Sequence, residues 1–352
     1  MLENSIQIPS DSSIVVMHDF SIDRIIRLKS IDELLNPLFE KTSFIDSSIV
    51  RGIASMVDIK GGNAINIAYC LAKLGLDVTL FTIADQTGSD ILMRIFSQFG
   101  NKVRLCIANG RRGFTTAIEF PNEKGHKVNV LLSDVGDNSD FGPERISYQK
   151  YLDILANANA VAVVNWATNL KGSQLAEYAF KMSPKALHFL APADIKTRNK
   201  EFRDYLKEIA GILDILSINE NECNWLAKAI GCGILLHEGS YNTDNVRSAA
   251  KIIASKTGIR NVDLHTRIGS AWSDGNQSAF SPCFKREVKT MTGAGDSWES
   301  ADIVGYLARL KAKERLSFCN MYASLYVSNP HSEPSTMEEL LRSIKKDRSL
   351  NV

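Results

Sequence analysis

The sequence lacks both common glycine-rich nucleotide signatures: there is no G-x-x-x-x-G-K-[ST] segment and no G-x-G-x-x-G. A phosphate-handling chain of this sequence therefore uses a different device, and a nicotinamide-dependent oxidoreductase has lost its usual fingerprint. Six cysteines stand apart with no C-x-x-C pair, and six histidines form no H-x-x-x-H pair. A cysteine–histidine metal framework is excluded on that spacing, and the thiols are expected to be reduced, several of them buried. A charge surplus is missing as well, since 41 basic residues meet 40 acidic ones for a net +1. Nucleic-acid and membrane-surface partners normally need a basic excess, so neither is expected. No apolar stretch approaches the roughly 18 residues of a membrane span. The opening "MLENSIQIPSDSS" has no basic segment followed by an apolar run, so no signal peptide is expected and the cytoplasm is the expected location.

What is present is ordinary globular composition, 44% hydrophobic and 23% charged over 352 residues, enough for a full core. Without repeats or a low-complexity linker, residues 1–352 read as one domain. Short apolar runs alternate with amphipathic segments, the pattern of a mostly parallel sheet covered by helices. Buried strands are read at 13–20, 77–85, 160–166, 186–192 and 212–219, with a late strand and hairpin over 261–275. Helices are read at 66–75 and 90–100, each ending in glycine. At the far end, Ser335 with Glu338 fits a capping box for a helix within 331–350.

Two stretches break the rhythm. Residues 43–59 alternate β-branched residues, and 112–132 read as two strands around "PNEKG". Together they predict a small antiparallel sheet projecting as a lid over substrate, or else a β-extension or dimer surface. Arg51 and Arg112 fall in these stretches, and Arg111 directly precedes the second. A lid arginine is suited to a phosphate already on the substrate, and a solvated surface charge is the plain alternative.

Three motifs carry chemistry. "TGAGDSW" sets Gly293, Ala294 and Gly295 where a helix begins, so unpaired backbone N–H groups and the helix dipole point at one spot. Asp296 stands at the mouth of that turn, placed to take a proton from an attacking hydroxyl. A plain N-terminal cap explains the same residues. "KGGNAINIAYCLAKLG" puts Gly62 ahead of a helix with Asn63 and Asn66 in its first turn, amides that can pair with hydroxyls of a polyol. "SINENE" ends a buried strand with Asn219 and Glu222 on one helical face. Such a pair can organise the waters of Mg²⁺ and nucleotide phosphates, or simply cap the helix.

In this order, "GGNAINIAYCLAKLG", "NENE" and "TGAGDSW" resemble the ribokinase-like, or PfkB, family of carbohydrate kinases, over roughly residues 12 to 340. The resemblance implies a three-layer α/β/α sandwich with a small β-sheet lid. It implies transfer of a nucleotide's terminal phosphoryl group, from ATP with ADP not excluded, to a hydroxyl of a sugar or nucleoside. On it, Asp296 is the base, and Gly293, Ala294 and Gly295 form the anion hole. Asn219 and Glu222 serve nucleotide phosphate and Mg²⁺, and Asp23, Gly62, Asn63 and Asn66 hold the acceptor. Thr266 and Gly269 lie where the nucleotide binds, with Asn320 beside the base. Lid sheets of this kind can pair, so a homodimer through the lid is an expected partner.

Departures are visible. Asn63 stands where ribokinase itself tends to carry lysine, and Trp298 follows the base where a smaller aromatic is usual. "HTRIGS" replaces the more glycine-rich "TxGxxG", leaving Arg267 and Ser270 near the phosphates. A sugar-phosphate kinase and a non-catalytic sugar or nucleotide sensor are the competing readings. Retention of Asp296 with Asn219 and Glu222 speaks against the sensor, since a pure binder needs no base.

Overall fold

The computed structural model describes residues 12–32, 35, 54–123 and 127–349. In chain order its strands are β1 (Ser13–His18), β2 (Ser21–Leu28), β3 (Ala54–Gly61), β4 (Asp77–Ala84), β5 (Val103–Asn109), β6 (Gly113–Pro121) and β7 (Lys127–Asp134). They continue with β8 (Ala160–Val164), β9 (Leu187–Ala191), β10 (Ile215–Asn219), β11 (Asn261–Thr266), β12 (Gly269–Ser273) and β13 (Ser278–Pro282). The helices are α1 (Asn63–Lys73), α2 (Gln86–Phe96), α3 (Gln149–Ala156), α4 (Gly172–Met182) and α5 (Asn199–Ile209). After them come α6 (Glu220–Ala229), α7 (Thr243–Thr257), α8 (Ala294–Leu307), α9 (Ala312–Ser328) and α10 (Met337–Ser349). Among the described residues no helix is long and apolar enough to cross a membrane.

Nine strands form the large sheet, in the order β13-β12-β11-β10-β9-β8-β1-β4-β5. Neighbours from β5 to β11 are parallel, and β12 and β13 finish the edge as antiparallel strands. Parallel strands covered on both faces should be apolar throughout. In β1, Ile14 and Val16 pack with α1, α8 and α9, whereas Val15 and Met17 pack with α4 to α7. The alternation of side chains along a strand thus divides one apolar run between two cores. The result is the three-layer α/β/α architecture that the sequence predicts.

The second sheet has four strands in the order β3-β2-β6-β7. Its β2 runs antiparallel to β3 and parallel to β6, and β6 and β7 are antiparallel. The stretch read at 112–132 is β6 and β7; of 43–59 only the part from 54 onward is described, and it lies in β3. Residue 51 also falls outside the described residues. A central strand of this sheet, β2, escaped the sequence reading because it follows β1 after only two residues. Asn138 anchors that junction: its Oδ1 accepts from the Phe20 amide at 3.2 Å and its Nδ2 donates to the Phe20 carbonyl at 2.9 Å.

Other boundaries shift for local reasons. The second helix starts at Gln86 rather than near 90, because the Asp85 carboxylate accepts from the Gly88 amide at 2.7 Å and caps it. The capping box of α10 is one residue later than expected. Glu339 accepts from the Thr336 amide at 2.8 Å, and the Thr336 hydroxyl accepts from the Glu339 amide at 3.3 Å. "STMEE" contains two overlapping candidates, and a helix that begins at Met337 makes Thr336 the cap.

α8 is buried on every side from Asp296 to Gly305. One device that makes this tolerable is a buried ionic network. Arg315 on α9, 1% exposed, pairs with Asp302 of α8 and with Asp263 of β11 at 2.9 Å. Its guanidinium lies 3.8 Å from the centre of the Tyr306 ring, whose hydroxyl donates to Asp263 at 2.7 Å. Removing the one cation leaves two carboxylates buried without compensation. Arg315→Met is therefore expected to cost about 3–5 kcal/mol of stability, read as a lower midpoint in urea denaturation; an unchanged midpoint would show that the network contributes nothing net.

Candidate active site

In open sheets of this kind, ligands bind beyond the carboxyl ends of strands where the chain's direction across the sheet reverses. Here that point lies between β1 and β8, because β4 and β5 extend one way from β1 and β8 to β13 the other. Two polar residues occupy it. Asp19 follows β1, and Asn165 follows β8 in a left-handed conformation with φ 53°. One Asp19 oxygen accepts from the Asn63 amide at 2.9 Å and from Asn165 Nδ2 at 2.7 Å. The other accepts from the Ala64 amide at 2.9 Å. Asp19 is thus the cap of α1 from a distance, since Gly62 at the capping position offers no side chain. Glycine is required there: φ is +95° and a Cβ would lie 2.6 Å from the Asp19 carbonyl oxygen.

With α1 anchored, its first turn holds the Asp296 carboxylate. Asn63 Nδ2 donates to Asp296 Oδ1 at 2.7 Å, and Asn66 Nδ2 donates to Oδ2 at 2.8 Å. Asp296 is 7% exposed. Its pKa is pushed up to about 8, by burial first and by the Glu299 carboxylate second, against the pull of the two amides. Asn63 and Asn66 were expected to face acceptor hydroxyls; the structure commits one N–H of each to Asp296. Asp23 lies beside the same loop, since a Cβ on Gly61 would meet its carboxylate at 2.2 Å. Burial raises the Asp23 pKa, and Ser21 Oγ donates to it at 2.8 Å.

The glycine turn is built as the motif requires. Gly293 has φ +84°, and a Cβ there would lie 2.5 Å from the Tyr326 hydroxyl. No side chain caps α8. The Ala294 amide donates to the Met291 carbonyl at 3.2 Å and that of Ser297 to Gly293 at 3.0 Å. Among the described residues nothing accepts from the amides of Gly295 and Asp296 between them. Two open donors thus stand at the positive end of a buried helix, an arrangement suited to an anion, next to a carboxylate.

Asn219 and Glu222 form a full capping box. Asn219 donates from its amide nitrogen and from Nδ2 to the two Glu222 oxygens at 2.9 and 2.8 Å, and its Oδ1 accepts from the Glu222 amide at 3.0 Å. Glu222 is 7% exposed rather than solvated, and burial pushes its pKa up. Thr266 and Gly269 flank the β11–β12 turn, where Thr266 Oγ1 donates to the Gly269 carbonyl at 2.6 Å.

Asn320 is enclosed by protein groups. Its Oδ1 accepts from Ser270 Oγ at 2.9 Å and from Trp298 Nε1 at 2.8 Å. Its Nδ2 donates to the Ser281 and Pro282 carbonyls at 2.9 and 3.1 Å. All four bonding positions of the amide are taken by protein, so Asn320 ties the hairpin to Trp298. The two lid arginines are likewise engaged, Arg111 with Asp134 and Arg112 with Asp85.

Asp19, Asn165, Glu299 and the placement of His265 were missed. The first two had a signal, as polar residues ending the apolar strands "SIVVMHDF" and "AVAVVN" on either side of the switch point. Glu299 had none, because its burial depends on strands 30 to 80 residues away.

Residues 26–339 match the pfkB family carbohydrate kinase pattern. The chain is 23% identical over 310 residues to the 1-phosphofructokinase of Escherichia coli K12, covering 84% of this chain and 89% of that one. Arabidopsis thaliana ribokinase complexed with ribose and ATP superposes with a TM-score of 0.69 at 20% identity, covering 94% and 98% of the two chains. Sinorhizobium meliloti adenosine kinase gives 0.67 at 18% identity, covering 91% and 95%. The fold is ribokinase-like, and the family match makes the chain a carbohydrate kinase, a phosphotransferase acting on an alcohol group. The chain belongs to the pfkB family of carbohydrate kinases.

The turn sets a sharp expectation. Gly293→Ala brings a methyl group against Tyr326 and strains a left-handed residue, displacing the open amides. Turnover is expected to fall by about 100-fold or more with the circular dichroism spectrum unchanged. Full activity in this variant would remove the turn from the transferring group.

Proposed function

We propose that this protein transfers the terminal phosphoryl group of ATP to a hydroxyl of a sugar or nucleoside, with Asp296 as the base. The observation that carries the reading is the pairing of one buried carboxylate, held by two amides, with two open backbone donors at the same helix end. The acceptor hydroxyl gives its proton to Asp296 as its oxygen forms the new bond to phosphorus. The bond from phosphorus to the bridging oxygen breaks, and ADP leaves with the electron pair. The amides of Gly295 and Asp296, on the Gly293–Ala294–Gly295 turn, receive the negative oxygens of the group in transit. Asp23, with the Gly62 loop and the remaining capacity of Asn63 and Asn66, orients the acceptor. Thr266 and Gly269 line the nucleotide side, and Asn219 faces its phosphates.

Mg²⁺ carried by the nucleotide would neutralise phosphate charge. The residues fit it through its waters: both Glu222 oxygens already accept from Asn219, which suits hydrogen bonding to a hydrated ion. The small sheet would close over the acceptor. It exposes Met56 (66%), Leu131 (61%) and Leu132 (60%), which supports pairing of two copies through it.

A phosphorylated sugar as acceptor is the second reading, favoured by likeness to 1-phosphofructokinase. The screen that decides uses ATP and ADP as donors against neutral sugars, nucleosides, polyols and sugar phosphates. A neutral acceptor is expected to turn over with ATP; binding of nucleotide without turnover of any acceptor would instead support a sensor.

Three further outcomes follow from Asp296. The base acts ionised, so turnover is expected to rise with pH through about 8. Asp296→Asn is expected to lower turnover by about 100-fold or more while nucleotide binding persists. The same variant should be more stable than the parent at pH 7. A carboxyl whose folded pKa lies above its unfolded value binds more protons when folded, so it makes stability fall as pH rises from about 4 to 8. Normal turnover in Asp296→Asn would remove it as base.

A further inference from the structure

Behind the glycine turn lies a carboxylate that neither the motif nor the phosphoryl-transfer scheme uses. Glu299 sits one turn after Asp296 on α8 and is 5% exposed. Its Oε1 accepts from Ser217 Oγ of β10 at 3.2 Å. His265 Nε2, at the end of β11, stands 3.7 Å from the same oxygen, buried and without a hydrogen-bond partner. The imidazole is fixed by stacking on Trp298, with ring centres 5.0 Å apart and planes 27° apart. Its Cε1 lies 3.4 Å from where a Cβ on Gly295 would be. The ring therefore walls the anion hole on one side and looks at Glu299 on the other.

We infer that His265 and Glu299 are positioning residues of the base: a carboxylate–imidazole pair whose joint charge sets how readily Asp296 gives up and takes its proton. The inference rests on the kinase reading of Asp296 and deepens it. When the imidazole is neutral, Glu299 is a buried anion one helical turn from the base and opposes its ionisation. A protonated imidazole closes the 3.7 Å gap to a charge-assisted bond, cancels that anion, and makes Asp296 easier to ionise. The unpartnered Nε2 is the feature a purely structural histidine lacks, since buried ring nitrogens are normally bonded.

The surroundings are accounted for element by element. Asp296 also faces the Asp19 carboxylate beyond β1, the neutral amides of Asn63 and Asn66 and the Cys70 thiol on α1, and the Tyr326 hydroxyl on α9. Glu299 faces Ser217 on β10, His265 on β11 and, more distantly, Glu222 on α6. Among these described groups His265 is the one able to become a cation, so the pair is where the charge can change.

The test is carboxyl and imidazole NMR titration of the full chain without ligands, with the signals assigned by Asp296→Asn and His265→Gln. In Glu299→Gln the Asp296 midpoint is expected to fall by about one pH unit. Glu299→Asp should restore part of that shift. In His265→Gln the Asp296 midpoint should stay high, and the acid limb of turnover with Mg-ATP and the best acceptor of the screen should stay with it. Thermal melting of each variant confirms that it is folded. An Asp296 midpoint unmoved in folded Glu299→Gln overturns the inference. Midpoints that shift as stated in a protein without kinase turnover would keep the pair and sink the kinase reading, so the two failures are distinguishable.

Discussion

Three hydrogen bonds to one carboxylate hold the site in place. Asp19 ends the central strand, caps the first glycine-led helix and takes the amide of Asn165 from the neighbouring strand. Without that junction, α1 has no fixed origin, because its own capping residue is a glycine. Asn63 and Asn66 then have no fixed place from which to hold Asp296, and the open amides of α8 face no positioned carboxylate. The glycine turn and the asparagine turn come from residues more than 200 positions apart; Asp19 and the buried packing of α1 on α8 bring them into register.

Carboxylates dominate this end of the molecule, and few cations answer them. Asp19, Asp296, Glu299 and Glu222 are all buried. What stands in for water is a set of oriented dipoles: backbone N–H groups at helix starts, asparagine amides and a serine hydroxyl. Such groups favour an anion without neutralising it, so proton affinities near the site remain adjustable. A different solution appears one turn further along α8, where one cation, Arg315, is shared by Asp263 and Asp302. One helix thus has carboxylates answered by dipoles at its start and by a buried cation further on.

The layering was legible because a parallel sheet writes itself as uninterrupted apolar runs, and Ile14 to Met17 needs no context to be read. The two glycine-led turns were legible because backbone approach to an anion restricts residue choice sharply. What escaped reading depends on distance in space rather than pattern. Nothing in "NENE" says that both Glu222 oxygens are taken by Asn219. Asn320 looks free in a helical stretch, yet strands 40 residues earlier saturate it. The small sheet was half visible: its hairpin is local, while β2 is recognisable only once the chain is seen to leave one sheet for another at Phe20. Polar residues ending apolar strands were the unused clue, for they mark where the sheet meets its ligand.

Asn320 grips the β12–β13 hairpin partly through the carbonyls of Ser281 and Pro282. A hand that holds a strand by its main chain is indifferent to the side chains it carries. β13 can therefore exchange side chains while the same amide keeps Trp298 and the start of α8 where they are. The surface of the hairpin and the position of the helix are thereby free to drift apart.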